Sequence, residues 1–333
     1  MFDVISYFQL LILFTTNLII LFYRKKLYLL INIEDKADGL LKIHKNQTYS
    51  IGGIIFFINI LLFAILDFYF NKEFTFLNNE NLAEALVLIF SLSIMFFIGI
   101  YDDKYFLSYR NKFLLLLIVI LPCLIIDKNL VITNINFTFT EKSIYLDKLS
   151  IPVTVLCIML FINALNLFDG IDLQAGSYIL ILSLYFIFIL NLVFFVPVLI
   201  GCVFFLYLNF KKEIFLGDSG AILIGFLISY FCIKLSQLDI IRSDQIFIIM
   251  MLPGIDMFRL FLIRLFKKKN PFKGDRNHLH HIMIDKHGYL NSYIYIQLLI
   301  LIPLLLMIFS KISSMIIIIT TLIIYIYLVF IKK

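Results

Sequence analysis

Charged residues are scarce in this chain. Only 15% of its 333 residues are Asp, Glu, Lys or Arg, whereas 62% are hydrophobic and the mean hydropathy is +1.02. A soluble domain has about a quarter of its residues charged, so this composition excludes an ordinary soluble protein and predicts an integral membrane protein. Tryptophan is absent, and 37 Phe and 18 Tyr are left to form the lipid-facing surface and its interfaces.

Cysteine is also scarce. The four cysteines lie inside apolar runs and have no metal-ligand spacing, so we expect neither a disulfide nor a zinc site. A cleavable signal peptide is not expected, because the positive residues Arg24, Lys25 and Lys26 follow the first apolar run instead of preceding it. The net charge of +6 comes largely from residues near the ends of the runs and does not predict binding to nucleic acid.

Apolar runs recur at the length that crosses a bilayer as a helix, about 17–25 residues. Most Lys and Arg residues fall in alternate connecting segments, which by the positive-inside pattern puts the N-terminus outside and the C-terminus in the cytoplasm. The sequence therefore predicts an all-α polytopic membrane protein that forms a single domain over residues 1–333. About eleven spans are predicted, at 4–23, 51–70, 85–101, 113–126, 151–168, 177–191, 192–210, 219–236, 244–266, 293–310 and 313–331.

Two departures from simple spans are predicted. Pro253 and Gly254 fall within the ninth span and predict a break there, with the second half bent away. The outer stretch 127–150 shows weak alternation of apolar residues, which favours a small β-hairpin.

Every polar cluster of unusual composition falls on the predicted cytoplasmic side. A transporter more often places its polar site near the bilayer midplane, whereas this placement suits an enzyme that brings a water-soluble substrate to a lipid headgroup. One cluster precedes the second span, where Lys42 and His44 face an anionic site or snorkel to headgroups. Gly52 and Gly53 follow them and permit close helix packing.

Adjacent carboxylates end the third span. Asp102 and Asp103 would repel each other unless a cation intervenes, and with Mg²⁺ they suit phosphate chemistry. Lys112 follows them and can reach an anion near the same point. A solvated loop beside a helix is the alternative interpretation.

A regular polar pattern ends the fifth span. Asn163, Asn166, Asp169 and Asp172 recur every three residues, which on a helix or a tight helical turn places amides and carboxylates on one face. Such groups beside a run that is buried in lipid usually mark function. The alternative is a helix end that these residues merely cap.

The eighth helix opens with Phe215-Leu-Gly-Asp218-Ser-Gly. The glycines let backbone approach a ligand closely, and the N-terminal amides of a helix favour phosphate. Asp218 can hold a metal that bridges to that phosphate, and Phe215 can stack on a nucleobase. An ordinary Asp N-cap is the alternative.

Three of the five histidines fall within the segment 275–281. His278, His280 and His281 could bind a transition metal, or they could donate hydrogen bonds to a diphosphate or a sugar, with Arg276 adding charge. We favour the second role, since no cysteine accompanies them.

In this order, the clusters resemble the motifs of the polyprenyl-phosphate N-acetylhexosamine-1-phosphate transferases, a glycosyltransferase family related to phospho-MurNAc-pentapeptide translocase. The Asp-Asp motif is similar to Asp102-Asp103, Asn-x-x-Asn-x-x-Asp-Gly to Asn163–Gly170, Gly-Asp-x-Gly-Ser to Gly217–Ala221, and Asp-Arg-x-His-Leu-His-His to Asp275–His281. The His-Leu-His-His form resembles the branch that starts O-antigen, teichoic acid and related glycans. The chain departs from the family at Tyr49-Ser50, at Leu173-Gln174 and at Ala221, which leaves the sugar open.

The resemblance implies transfer of an N-acetylhexosamine 1-phosphate from a UDP-sugar to a polyprenyl phosphate, with release of UMP. It implies a homodimer in the bacterial inner membrane, an active site that faces the cytoplasm, and Mg²⁺ as cofactor, with Mn²⁺ as the alternative. A lipid or ion transporter and an inactive homologue that acts as a scaffold are the other interpretations.

The implied roles divide the candidate residues into three groups. Asp102 or Asp103 would act on the polyprenyl phosphate, and Asp218 with Asn166 would hold the metal. The remaining candidates would bind substrate: Lys42, His44, Lys112, Asn163, Asp169, Asp172, Phe215, Arg276, His278, His280 and His281. We expect the acidic residues and Asn166 to converge on one cleft.

Overall fold

The computed structural model describes residues 7–31, 33–35, 48–71, 82–268 and 277–330. Helices dominate these residues, because an apolar segment in lipid must satisfy its own backbone hydrogen bonds. The helices are α1 (Tyr7–Ile31), α2 (Gly52–Asn71), α3 (Leu82–Tyr105), α4 (Tyr109–Ile126), α5 (Ser150–Phe168), α6 (Gln174–Phe188), α7 (Val196–Phe210), α8 (Gly217–Gln237), α9 (Ser243–Phe266), α10 (Leu279–His287), α11 (Tyr289–Phe309) and α12 (Ser314–Phe330). The strands are β1 (Glu34–Asp35), β2 (Thr48–Ser50), β3 (Asn134–Phe137), β4 (Thr140–Tyr145) and β5 (Ile214–Phe215).

Each predicted span corresponds to one of these helices, which confirms the all-α polytopic class. By length and composition, nine of the described helical segments can cross a membrane. Helices α6 and α12 are shorter, with 15 and 17 residues. The short helix α10 falls in a segment that was predicted only as a connection. The side of the membrane on which each helix ends stays a prediction.

The chain groups into two compact units, each built from two separate segments. The first unit comprises the described parts of Met1–Lys128 and Ala175–Leu227, and the second comprises those of Asn129–Gln174 and Ile228–Lys333. Helix α8 contributes its first half to one unit and its second half to the other. The single domain predicted for residues 1–333 stays a prediction.

In the first unit, α2 packs on α1, α3 and α7, and α3 packs on α4. Aromatic rings fill the contact between α2 and α7, where the ring centroids of Phe56 and Phe205 lie 5.6 Å apart. A three-stranded sheet has β2 in its centre, antiparallel to β1 and parallel to β5. Ser50 pairs with Phe215, so the sheet brings the start of α2 beside the start of α8.

In the second unit, α9 packs on α5, α11 and α12, and α10 packs on α11 and α12. The predicted hairpin is confirmed as β3 and β4. The backbone N–H of Thr138, at its turn, donates a hydrogen bond of 2.9 Å to the buried carboxylate of Asp244 in α9. Ser314 of α12 also donates to Asp244. This carboxylate therefore joins the hairpin to two helices.

The predicted break near Pro253 was wrong, whereas the bend of the second half stays a prediction. Helix α9 continues through this residue from Ser243 to Phe266. A proline removes one backbone donor, and the packing of α9 on α5, α11 and α12 holds the helical hydrogen bonds on either side of it.

Candidate active site

The first turn of α8 is approached closely by two other helices of the first unit. A Cβ on Gly53 would lie 2.4 Å from the backbone nitrogen of Gly220, and a Cβ on Gly99 would lie 2.3 Å from Cα of Ser219. Gly217, which links β5 to α8, has a φ of +73° that favours glycine. The close packing predicted for Gly53 is therefore confirmed, and it brings α2 and α3 onto the start of α8.

Asp103 of α3 caps α8. Its Oδ1 accepts a hydrogen bond of 2.8 Å from the backbone N–H of Asp218, and its Oδ2 accepts one of 3.0 Å from the backbone N–H of Ser219. A carboxylate at this position complements the positive end of the helix dipole. Two of the amides that were predicted to receive a phosphate are therefore already bound by Asp103.

Lys112 of α4 lies between two carboxylates. Its Nζ is 2.7 Å from Oδ2 of Asp102 and 2.6 Å from Oδ1 of Asp218. The other oxygen of Asp102 accepts a hydrogen bond of 2.7 Å from the backbone N–H of Leu107. Helices α3, α4 and α8 thus bring together Asp102, Asp103, Lys112 and Asp218, with negative charge in excess.

Side chains of α1 contact the residue that precedes strand β5. Arg24 forms an ion pair of 2.8 Å with Glu213, directly before the strand, and the hydroxyl of Tyr28 donates to the same carboxylate at 3.2 Å. The Tyr28 ring stacks on Tyr49 of β2, with ring centroids 4.7 Å apart. These contacts fix the strand that carries the half-buried Phe215. The candidates Lys42 and His44 lie outside the described residues.

In the second unit, the polar pattern at the end of α5 is only partly helical. Asn163 is exposed and donates its side-chain amide to the carbonyl of Met159 at 2.7 Å. Helix α5 ends at Phe168, so Asp169 and Asp172 lie in the following loop and do not continue the helical face. Each of them is half-buried, as is Asn166 on the last turn of the helix.

The loop after α5 lies against the histidine segment. The side chain of His280 is buried over Gly170, where a Cβ would lie 2.1 Å from Cε1 of the imidazole. The hydroxyl of Tyr289 at the start of α11 donates to the carbonyl of Asp172 at 2.8 Å. Two motifs that are more than a hundred residues apart in sequence therefore meet in this unit.

The three histidine rings form a row. The His280 ring stacks on His278 with centroids 5.5 Å apart, and it contacts His281 at 4.3 Å. Burial, together with the neighbouring His281 and His278, lowers the pKa of His280 to about 3, so this imidazole is neutral at physiological pH. Arg276, the remaining candidate of this motif, lies outside the described residues.

The sequence did not assign a role to the residues that hold this segment. Asp256 of α9 accepts hydrogen bonds from Arg259 on the same helix, from Tyr325 of α12 and from the backbone N–H of Leu279. His278 Nδ1 lies 3.2 Å from the same carboxylate. The available sequence signal was the pair of opposite charges, Asp256 and Arg259, three residues apart within an apolar span. No sequence signal pointed to Tyr325.

The predicted metal ligands are not brought together within one unit. Asp218 belongs to the first unit and Asn166 to the second. In the part of the chain that the structure describes, no three His, Cys, Asp or Glu side chains form a group that could hold a metal ion. The convergence of both sets of polar residues on one cleft stays a prediction.

Comparison with known proteins gives a family match over part of the chain. The profile described as Glycosyl transferase family 4 matches residues 85–236. This range includes Lys112 with its partners Asp102 and Asp218, and the polar pattern that ends α5. Residues 85–236, just under half of the chain, are therefore similar to glycosyl transferase family 4. This match confirms the resemblance predicted from the order of the motifs.

Several curated relatives cover most of this chain. A Bacillus subtilis (strain 168) protein named "Probable undecaprenyl-phosphate N-acetylglucosaminyl 1-phosphate transferase" is 28% identical over 254 residues, which are 72% of this chain and 66% of the relative. The undecaprenyl-phosphate alpha-N-acetylglucosaminyl 1-phosphate transferase of Escherichia coli (strain K12) is 26% identical over 297 residues, 85% of this chain and 76% of the relative. The protein of the same name from Salmonella typhimurium (strain LT2) is 24% identical, with 82% and 74% covered.

Proposed function

We propose that this chain transfers an N-acetylhexosamine 1-phosphate from a UDP-sugar to undecaprenyl phosphate and releases UMP. The relatives carry names of this activity. The observation that carries the proposal is the convergence of Asp102 and Asp218 on one cation position, directly at the start of α8. Two carboxylates beside a fixed ammonium form the kind of site that binds a diphosphate with a divalent metal.

The donor atoms at this position fit Mg²⁺. One oxygen of Asp102 and one of Asp218 lie close enough to share a cation, since both contact Nζ of Lys112. Mg²⁺ prefers carboxylate and phosphate oxygens, so these two side chains would hold it, with Asn166 as the further predicted ligand. When bound, Mg²⁺ would neutralise charge on the diphosphate and on the leaving UMP.

The two adjacent carboxylates have different roles in this proposal. Both oxygens of Asp103 are bound by amides of α8, so Asp103 positions that helix and, through it, Asp218. Asp102 shares its partner Lys112 with Asp218 and acts at the phosphates. Lys112 keeps a positive charge at the point where the two phosphoryl groups would meet, which favours their approach.

The second unit supplies the groups for the nucleotide and the sugar. Asn163, Asp169 and Asp172 lie at or after the end of α5, and the backbone of this loop is fixed by Tyr289. We assign these polar groups, with Phe215 of the first unit, to the uridine. Arg276 and the histidine segment, through one of its three imidazoles, are assigned to the diphosphate and the sugar.

The reaction would take place at the cytoplasmic face of the bacterial inner membrane, in a homodimer, and would start a lipid-linked glycan of the cell envelope. The excess of Lys and Arg in the predicted inner segments supports this orientation. The identity of the N-acetyl sugar follows from the experiment below.

The experiment offers a panel of radiolabelled UDP-N-acetyl sugars, with undecaprenyl phosphate, to the purified protein in detergent and lipid. We expect one or a few sugars to appear in the lipid fraction with equal amounts of UMP in solution, and the transfer to require Mg²⁺. The absence of transfer from every sugar by a folded, monodisperse protein would overturn the proposal.

A further inference from the structure

A charged pair in α9 holds the backbone before α10 at three points. Arg259 donates a hydrogen bond of 2.6 Å to the carbonyl of Asn277. Asp256 accepts one of 3.1 Å from the backbone N–H of Leu279, and its Oδ2 lies 3.2 Å from Nδ1 of His278. The carbonyl of one residue, the side chain of the next and the amide of the third are thus all bound to one helical turn of α9.

The other partners of Asp256 decide which nitrogen of His278 carries a hydrogen. Arg259 and the hydroxyl of Tyr325 each donate to Oδ1 of Asp256 at 2.8 Å. Because every one of these partners is a donor, the carboxyl group is an ionised acceptor. His278 therefore donates through Nδ1–H, and this contact fixes both the tautomer and the ring orientation.

The three histidines differ in how far their side chains are buried. His278 is 6% exposed and His280 is 2% exposed. The first is bonded to Asp256, and the second is packed over Gly170, where even a methyl group would not fit. His281 is more exposed than either and lies on the next position of α10.

We propose that Asp256 is a positioning residue that fixes His278 through Nδ1 and thereby sets α10 so that His281 is the histidine that meets the diphosphate-sugar. The contacts of Asp256 with His278 and Leu279 are called the clamp. The assignment to His281 rests on the proposed function, whereas the clamp does not. This proposal narrows the substrate contact predicted for all three histidines to His281. The rings of His278 and His280 then position the segment and do not contact substrate.

Two substitutions of His278 distinguish the roles of its two ring nitrogens. The amide nitrogen of asparagine can take the place of Nδ1, and that of glutamine can take the place of Nε2. We expect His278→Asn to keep kcat/KM within about threefold and His278→Gln to lose about tenfold or more, since a hydrogen bond to a charged group is worth roughly 1.5–3 kcal/mol. The reverse order would overturn the proposal, because it would mean that Nε2 acts on substrate.

The clamp itself is tested without substrate, by hydrogen–deuterium exchange of peptides that cover residues 277–287. Asp256→Asn should speed exchange at the start of α10 by about tenfold or more, because the amide of Leu279 loses its charged acceptor. The matched control is Asp244→Asn, which removes another buried carboxylate of the same helix, bonded to Thr138 and Ser314. It should lower the melting temperature and leave exchange at α10 unchanged.

Tyr325→Phe provides a second variant if Asp256→Asn does not fold. It removes one hydroxyl donor from Asp256 and no buried charge, so it should give a smaller change in exchange with the same sign. Unchanged exchange in both variants, or an equal change in Asp244→Asn, would overturn the clamp.

His281→Ala tests the remaining step. It should lower kcat/KM for the UDP-sugar by about tenfold or more, with unchanged melting and unchanged exchange in α10. A wild-type protein that transfers no sugar but shows the expected exchange would refute the proposed function and leave the clamp standing. Normal kinetics of His281→Ala beside an active wild type would overturn the assignment of His281.

Discussion

Replacement of Lys112 by methionine should make the stability of the protein depend on a divalent cation. Lys112 is the common partner of Asp102 and Asp218, with contacts of 2.7 and 2.6 Å. Methionine keeps much of the length of the side chain and removes its charge. The two carboxylates then face each other without a cation, and Mg²⁺ becomes the ion that can replace it.

The size of the effect follows from the geometry. Two oxygens that each lie within 2.7 Å of one nitrogen are at most about 5 Å apart. At an effective dielectric constant of about 20, like charges at this distance repel by about 3 kcal/mol. The side chain of Asp218 is 29% exposed, so solvent screens part of this repulsion, and we expect a loss of about 2 kcal/mol in the free energy of unfolding.

The assay compares melting curves of the wild type, Lys112→Met and Lys234→Met in EDTA and in millimolar Mg²⁺. Lys234 is also a buried lysine on an apolar helix, beside Tyr230, so it controls for the loss of a buried ammonium. In EDTA both variants should melt below the wild type, and Mg²⁺ should restore Lys112→Met alone. Equal responses of the two variants to Mg²⁺ would refute the reasoning, because the cation would then not be replacing Lys112.

Four further predictions concern candidate residues of the two units. Asp218→Asn should leave a folded protein and lower the turnover of UMP release by about 10²-fold or more, as expected for loss of a strong electrostatic contact. The control Asp239→Asn should have little effect. Near-normal release from Asp218→Asn would contradict the assignment. Phe215→Ala should raise KM for the UDP-sugar with little change in kcat, because stacking is largely uniform binding, and a pure loss of kcat would speak against stacking. Gly170→Ala places a methyl group 2.1 Å from the His280 ring and should cost about 1–3 kcal/mol of stability by overpacking, measured by chemical unfolding. Because the pKa of His280 is lowered to about 3, only the unfolded state gains this proton between pH ~6.5 and ~3, so stability should fall as the pH drops through that range and His280→Gln should flatten the fall.

The sequence predicts the helices well, since hydrophobic length is a local property. Each predicted span corresponds to a helix, and the hairpin of β3 and β4 appears where weak alternation indicated it. The errors concern places where tertiary contacts outweigh local preference. Pro253 does not break α9, because three neighbouring helices pack on it.

The sequence selected the candidate residues, whose roles stay predictions, but several of their contacts could not be predicted from it. The pattern around Asp103 indicated repulsion between neighbouring carboxylates, whereas the structure gives this side chain two amides of α8. The pairing of Lys112 with both Asp102 and Asp218 requires α3, α4 and α8 to meet, and spacing along the chain does not contain that information. The same holds for Asp256, whose partners come from three separate segments.

Each polar cluster pairs carboxylates with a cation of the same unit. Lys112 pairs with Asp102 and Asp218 in the first unit, and Arg259 pairs with Asp256 in the second. Removing one partner of a buried pair leaves an uncompensated charge, which costs more than the pair itself contributes. Each cluster can therefore form before substrate or metal is bound. The wild type should therefore hold its fold in EDTA, although we expect its proposed transfer activity to require Mg²⁺. In Lys112→Met, by contrast, both stability and transfer should require the cation.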